Sequence, residues 1–175
     1  MEIRSIPQFL QYWDSIRGRT RRVIACIPPD RLEWTHQPAK FTFGDLVRHL
    51  AAIERYMYAE TVSGRPSAYP GCGRELAEGY DAVIAWFDQR AAESRAIFAA
   101  LPDSALLEKC QTPAGTPITT WKWLRAMVEH EVHHRGQLYL MLGVLNVATP
   151  PLFGLTSEEV RGRSTQSTSG TPTNS

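Results

Sequence analysis

Several things are missing from these 175 residues, and each absence closes off a class of function. Charge of one sign is missing: 19 Lys and Arg face 18 Asp and Glu, for a net charge of +1. That balance gives no basic footprint for nucleic acid and no acidic bias for cation buffering. Long apolar runs are missing too. No stretch approaches the roughly 20 residues that a membrane-spanning helix needs, so no membrane partner is expected. The opening Met1 to Pro7 has neither the basic nor the apolar region of a secretory signal. Cysteine is scarce and scattered, at Cys26, Cys72 and Cys110, with no CxxC pair. This provides neither a disulfide framework nor a cysteine metal site, and it suits a reducing, cytoplasmic location. None of the three adjoins a histidine or lies in an activating motif, so they read as inert thiols.

What is present is ordinary globular material, 43% hydrophobic and 21% charged, enough for one domain with a real core. Its apolar residues recur at three- and four-residue steps, the helical period. Pro7 to Ala25 reads as a first helix with Phe9, Leu10, Trp13, Ile16, Thr20, Val23 and Ile27 inward. Arg17, Arg19, Arg21 and Arg22 read as its solvated face. Phe41 to Val62 holds a second helix with a clear start: Thr42 and Asp45 form a capping-box-like pair, and Phe41 can staple to Leu46. Arg74 to Leu101 reads as a third, and Thr119 or Thr120 caps a fourth that ends between Gly143 and Asn146. Leu106 to Ile118 is a loop with room for a short extended piece, and a helical turn is expected after Thr156. No convincing strand set appears. The expectation is an all-α four-helix bundle over residues 1–160, with one longer connection, followed by a disordered Ser/Thr-rich tail at 161–175.

The fourth helix carries His130, His133 and His134 inside its apolar pattern. At about 100° per residue, His130 lies about 40° from His134, and both fall within the arc of Met127, Leu138 and Met141. His133 falls on the flank of that arc. Two imidazoles one turn apart therefore aim at the core, where an unpartnered polar ring is costly. His at i and i+4 is also standard ligand spacing for a divalent metal. His49 points inward from the second helix, on a stripe with Ile53, Tyr56 and Glu60. His36 lies in a loop-like stretch and reads as solvated. In bundles, metal sites are built from inward side chains on facing helices, and His49, His130 and His134 fit that plan. Three neutral imidazoles leave a fourth position open, as catalytic sites do. Around them, Tyr56, Glu60 and Trp123 share the metal-facing stripes. Glu131, about 60° from His134, is the candidate catalytic group, as a base or ligand-orienting residue, with a salt bridge as its alternative. Arg135 can pair with Glu131 or meet an anionic substrate, and Gly136 permits close helix packing.

Phe43-Gly-Asp-Leu-Val-Arg-His49-Leu and His130-Glu-Val-His-His134-Arg-Gly-Gln-Leu resemble the two signature stretches of the DinB/YfiT-like superfamily. The resemblance covers both motifs, their order and the helical layout from about Pro7 to Asn146. It implies a down-up-up-down bundle, a homodimer, and a divalent metal (zinc or nickel, with iron or manganese as further options) on His49, His130 and His134. It also implies a small-molecule substrate and a low-molecular-weight thiol cosubstrate such as bacillithiol or mycothiol, the chemistry of a thiol-dependent S-transferase or a hydrolase. Two other readings use the same residues. His130-Glu131-Val132-His133-His134 also spells the H-E-x-x-H metalloprotease signature, with Glu131 as base, but only Glu158 or Glu159 could then supply a downstream third ligand. A non-catalytic metal-binding bundle, acting as sensor or dimeric scaffold, is the other.

Overall fold

The computed structural model describes residues 2–166. Its frame is four long helical rods. The first, α1 (Ile6–Ile24), starts after extended Ser5 with Pro7 in its first turn, where proline's missing N–H costs nothing. The Ile6 N–H is satisfied from far along the chain by the Asp103 carboxylate, at 2.7 Å. All of its expected inward residues are buried. The second rod is composite: α2 (Phe43–Ile53), a π-helical segment (Glu54–Tyr58) and α3 (Ala59–Val62). Thr42 and Asp45 close a reciprocal capping box, with both bonds at 3.0 Å. The third and fourth rods are α4 (Tyr80–Ala99) and α5 (Thr120–Val144).

The third rod starts later than its apolar pattern suggested. Arg74–Leu76 is only a 3-10 turn, and Gly79 takes φ +84, a conformation that interrupts a right-handed helix and favours glycine. The extended piece between the third and fourth rods is a small antiparallel hairpin, β1 (Lys109–Gln111) with β2 (Pro117–Thr119), in which Cys110 faces Ile118. A further helix, α6 (Ser157–Gln166), runs into the stretch expected to be disordered. The rest of that expected tail, 167–175, lies outside the described residues.

Two apolar clusters fill the bundle. One joins the start of α1 (Phe9, Trp13) and the start of α5 (Leu124, Met127) to Val62 and Phe98 near the ends of α3 and α4. The other joins the far end of α1 (Val23, Ile24) and of α5 (Leu138, Leu142) to the starts of α2 (Phe43, Val47) and α4 (Val83, Phe87). Hence α1 and α5 run one way and the second and third rods the other: down, up, up, down. Two successive parallel helices cannot be joined by a tight turn. Residues 63–79 must therefore travel back along the bundle, and this is the long connection. Between the clusters each rod supplies buried polar groups, Thr20, Glu54, Ser94, then Glu131, His134 and Arg135, with half-buried Arg17 beside them.

Candidate metal centre

The capping box sets the start of α2, and His49 follows two turns later, facing α5. His130 and His134 are stacked one turn apart on α5. The three rings meet. His130 Nε2 lies 3.1 Å from His49 Nε2 and 3.0 Å from His134 Nε2, and the ligand atoms of all three fall within 4.8 Å of one another. Ring centroids are 4.4 to 5.0 Å apart. His49 and His134 are buried, at 8% and 7% exposure, and His130 is half-buried.

The opposite ring nitrogens of His49 and His134 are also engaged. His49 Nδ1 is 2.7 Å from the Tyr69 hydroxyl, and His134 Nδ1 is 2.8 Å from Gln137 Oε1. The Gln137 amide nitrogen donates to His133 Nε2 at 3.1 Å. The Gln137 oxygen can only accept, so His134 carries its proton on Nδ1 and a lone pair on Nε2. With its proton on Nδ1, His49 donates to the Tyr69 hydroxyl, which can accept it. With each ring protonated on Nδ1, the Nε2 lone pairs converge on one point, which is unfavourable unless an electron-poor centre sits among them. The donor set therefore suits a divalent ion. Its spacing agrees: zinc–nitrogen bonds of about 2.05 Å at tetrahedral angles separate the nitrogens by about 3.3 Å.

The electrostatics agree as well. Burial, then the neighbouring His134, pushes the His49 imidazole down to about 4. Burial and the other histidines push His130 down to about 3. His134 is lowered too, chiefly by burial, against the opposing effect of Gln137. All three favour the neutral, ligating form at neutral pH.

Aromatic rings surround the trio. Phe41 stacks on His49 at 5.6 Å and meets His134 edge-on at 6.2 Å. Tyr58 lies 6.3 Å from His130. Beside Phe41 and Gln137 a cavity of about 350 Å³ continues between Leu46, Leu140, Met141 and Val144.

The other sequence candidates are placed as follows. His36 and His133 are exposed, and His133 stands outside the trio. Glu131 is buried and faces α1, where Arg17 Nη2 is 3.3 Å from its carboxylate. Arg17 also pairs with Glu54, so it leaves the solvated cluster to which the sequence assigned it. Arg135 is buried and donates to the Ile16 carbonyl at 3.4 Å. Tyr56 and Glu60 do not line the centre: the Tyr56 hydroxyl accepts from Arg90, and Glu60 pairs with Arg55 and Arg65. The π-helical segment explains this. Its wider turn shifts the residues beyond it off the 3.6-residue stripe, and Tyr58 and Thr61 are the ones buried there. Trp123 then packs on Tyr58 at 4.6 Å and donates to Thr61 at 2.9 Å. Gly136 is exposed with open space beside it, so it serves no close helix packing. Glu158 and Glu159 are exposed, and Glu159 caps α6 through the Thr156 N–H at 2.7 Å. The third imidazole of the cluster comes from upstream, as His49. All three cysteines are free, and burial pushes each thiol up, away from activation.

Residue-level reading missed Tyr69 and Gln137. Gln137 could have been found, since it lies one turn after His133 and His134. Tyr69 could not, because no local periodicity ties a loop residue to a helix face.

Known proteins resemble the chain over most of its length. Among solved structures, a DinB-like protein from Bacillus cereus ATCC 10987 matches with a TM-score of 0.71 and 16% identity, covering 85% of this chain and 97% of that one. The DinB-like protein YjoA from Bacillus subtilis matches with a TM-score of 0.69 and 18% identity, covering 85% and 99%. At such identities the likeness shows the fold alone. No curated protein matches. The model of the DinB superfamily matches residues 12–138, which takes in both histidine motifs and most of the four rods. The chain belongs to the DinB superfamily.

Proposed function

We propose that this protein is a divalent-metal-dependent enzyme acting on a small molecule, as a thiol-dependent S-transferase or a hydrolase. One observation carries the reading: three imidazole Nε2 atoms from two helices converge on one point. His49, His130 and His134 would hold the ion, zinc or nickel by preference for an all-imidazole set. The ion supplies Lewis acidity, which favours the deprotonated and nucleophilic form of a thiol or of water. The chain does the rest. Tyr69 and Gln137 take the Nδ1 protons and leave the ligating nitrogens bare. Phe41 shields two of the rings from bulk water. The cavity beside it, walled by Leu46, Leu140, Met141 and Val144, offers an apolar seat of the size of a small electrophile. Glu131 acts at one remove, tying α5 to α1 through Arg17 next to His130.

The test starts with metal analysis of protein purified without a metal-affinity resin, then assays low-molecular-weight thiols against a panel of electrophiles. Thiol conjugation that chelation abolishes and zinc or nickel restores is the expected result. Full activity in a metal-free variant lacking all three histidines would overturn it. Tight stoichiometric metal with no turnover across the panel would favour the non-catalytic bundle.

A further inference from the structure

His130 and His134 share one helix, so the spacing of α5 sets their separation. His49 comes from another rod, and its ring can turn about its outer side-chain bond. A half-turn would carry Nε2 away from the trio and present carbon instead. Something must hold that ring, and among the described residues the one hydrogen bond on its far side is with Tyr69, 2.7 Å from Nδ1. The two rings stand nearly perpendicular, at 88° and 5.7 Å. Tyr69 belongs to no helix and is 36% exposed, so core packing does not explain its position. It lies on the 63–79 connection, which the parallel arrangement of the second and third rods forces back along the bundle past His49.

The connection is pinned just before Tyr69. The Ala68 N–H donates to the Tyr56 carbonyl at 2.7 Å, and Tyr56 lies in the π-helical segment, where Ala59 N–H bonds five residues back to Glu54. Farther up, Arg65 N–H donates to the Glu60 carbonyl at 3.0 Å, and its side chain pairs with the Glu60 carboxylate. The irregular turn and the crossover are thus parts of one device.

We propose that Tyr69 is the positioning residue of the metal centre: its hydroxyl accepts the His49 Nδ1 proton, fixes the ring's tautomer and rotation, and so holds Nε2 on the common point. This rests on the metal reading given above. The test titrates zinc into wild type, Tyr69→Phe and His49→Ala in competition with a chromophoric chelator, records the absorption of the cobalt-loaded forms, and measures urea unfolding of each metal-free protein. Tyr69→Phe keeps the ring and removes only the hydroxyl, which meets His49 and also bonds to Cys72. Loss of such a partner weakens metal binding by roughly 10- to 100-fold. That loss is expected here, with a changed cobalt spectrum and an unaltered metal-free unfolding midpoint. If wild type binds no zinc, the metal reading fails and this inference with it. If wild type binds zinc and Tyr69→Phe binds it equally well, the metal reading stands and the inference is wrong. Weakened binding accompanied by a matching loss of metal-free stability would likewise overturn it, by making the hydroxyl merely structural.

Discussion

His49 Nε2 and His130 Nε2 stand 3.1 Å apart, although 81 positions separate them in the chain. They are carried by helices that run in opposite directions, so only the packing of α2 on α5 brings them together. The consequences can be measured one at a time.

Removing any member of the trio should damage metal binding beyond what loss of a hydrogen-bond partner does. His49→Ala, His130→Ala and His134→Ala are each expected to lower zinc affinity more than about 100-fold, the upper end for an outer partner. His133→Ala, at an exposed position outside the trio, should change it little. Competition titration would decide, and a large effect at His133 would contradict the assignment.

Acid should weaken the metal-free protein. His49 is held at about 4 and His130 at about 3, against the ordinary 6.5 that applies once the chain unfolds. Below pH about 6.5 the unfolded chain takes up protons that the folded one refuses, so stability falls as the pH falls. With chelator present, Tm should drop from pH 7 to pH 5. The double variant His49→Gln with His130→Gln should show a shallower slope. Equal slopes would mean the imidazoles are not responsible.

Arg17 is shared by two buried carboxylates, those of Glu54 and Glu131, and its guanidinium also lies over the rings of Trp13 and Phe87. Neither Glu131 oxygen has a hydrogen-bond partner among the described residues. Arg17→Met strands both charges, a type of change that costs about 3–5 kcal/mol. Glu131→Gln should cost less, because Glu54 still pairs with Arg17, and should leave zinc affinity intact. Urea unfolding at pH 7 checks the first, and zinc titration the second. A Glu131→Gln protein that no longer binds zinc would place the carboxylate in the centre itself.

The capping box is a local device, and its loss should be read locally. Thr42→Ala should cost about 1 kcal/mol and lower Tm by roughly 2–4 °C in a chain of this size. Zinc affinity should fall far less than in His49→Ala. A loss of metal binding out of proportion to stability would show that the start of α2 positions His49 more directly than its two-turn separation suggests.

Much of this architecture was legible in advance. Thr42 and Asp45 announced the start of α2, and the apolar steps from Phe9 to Ile27 announced the buried face of α1. The histidine spacing on α5 marked two of the three imidazoles that converge. Where residue-level reading failed, it failed at departures from regular geometry. The stripe through His49, Tyr56 and Glu60 assumed 3.6 residues per turn, and the wide turn at Glu54–Tyr58 broke it. Arg17 sat among three other arginines and read as solvated, because a sequence shows which residues are charged but not which carboxylates lie opposite.

By itself, then, the chain's order of residues determined what each helix would be: where it starts, which face it buries, and which imidazoles that face carries. These are consequences of backbone hydrogen bonding and periodicity within about ten neighbouring positions. Tertiary structure alone decided which faces would meet, that Arg17 would lie between Glu54 and Glu131, and that the crossover would lay Tyr69 against His49. Those contacts link distant stretches of chain, and their energy comes from burial and packing between surfaces that no local pattern records.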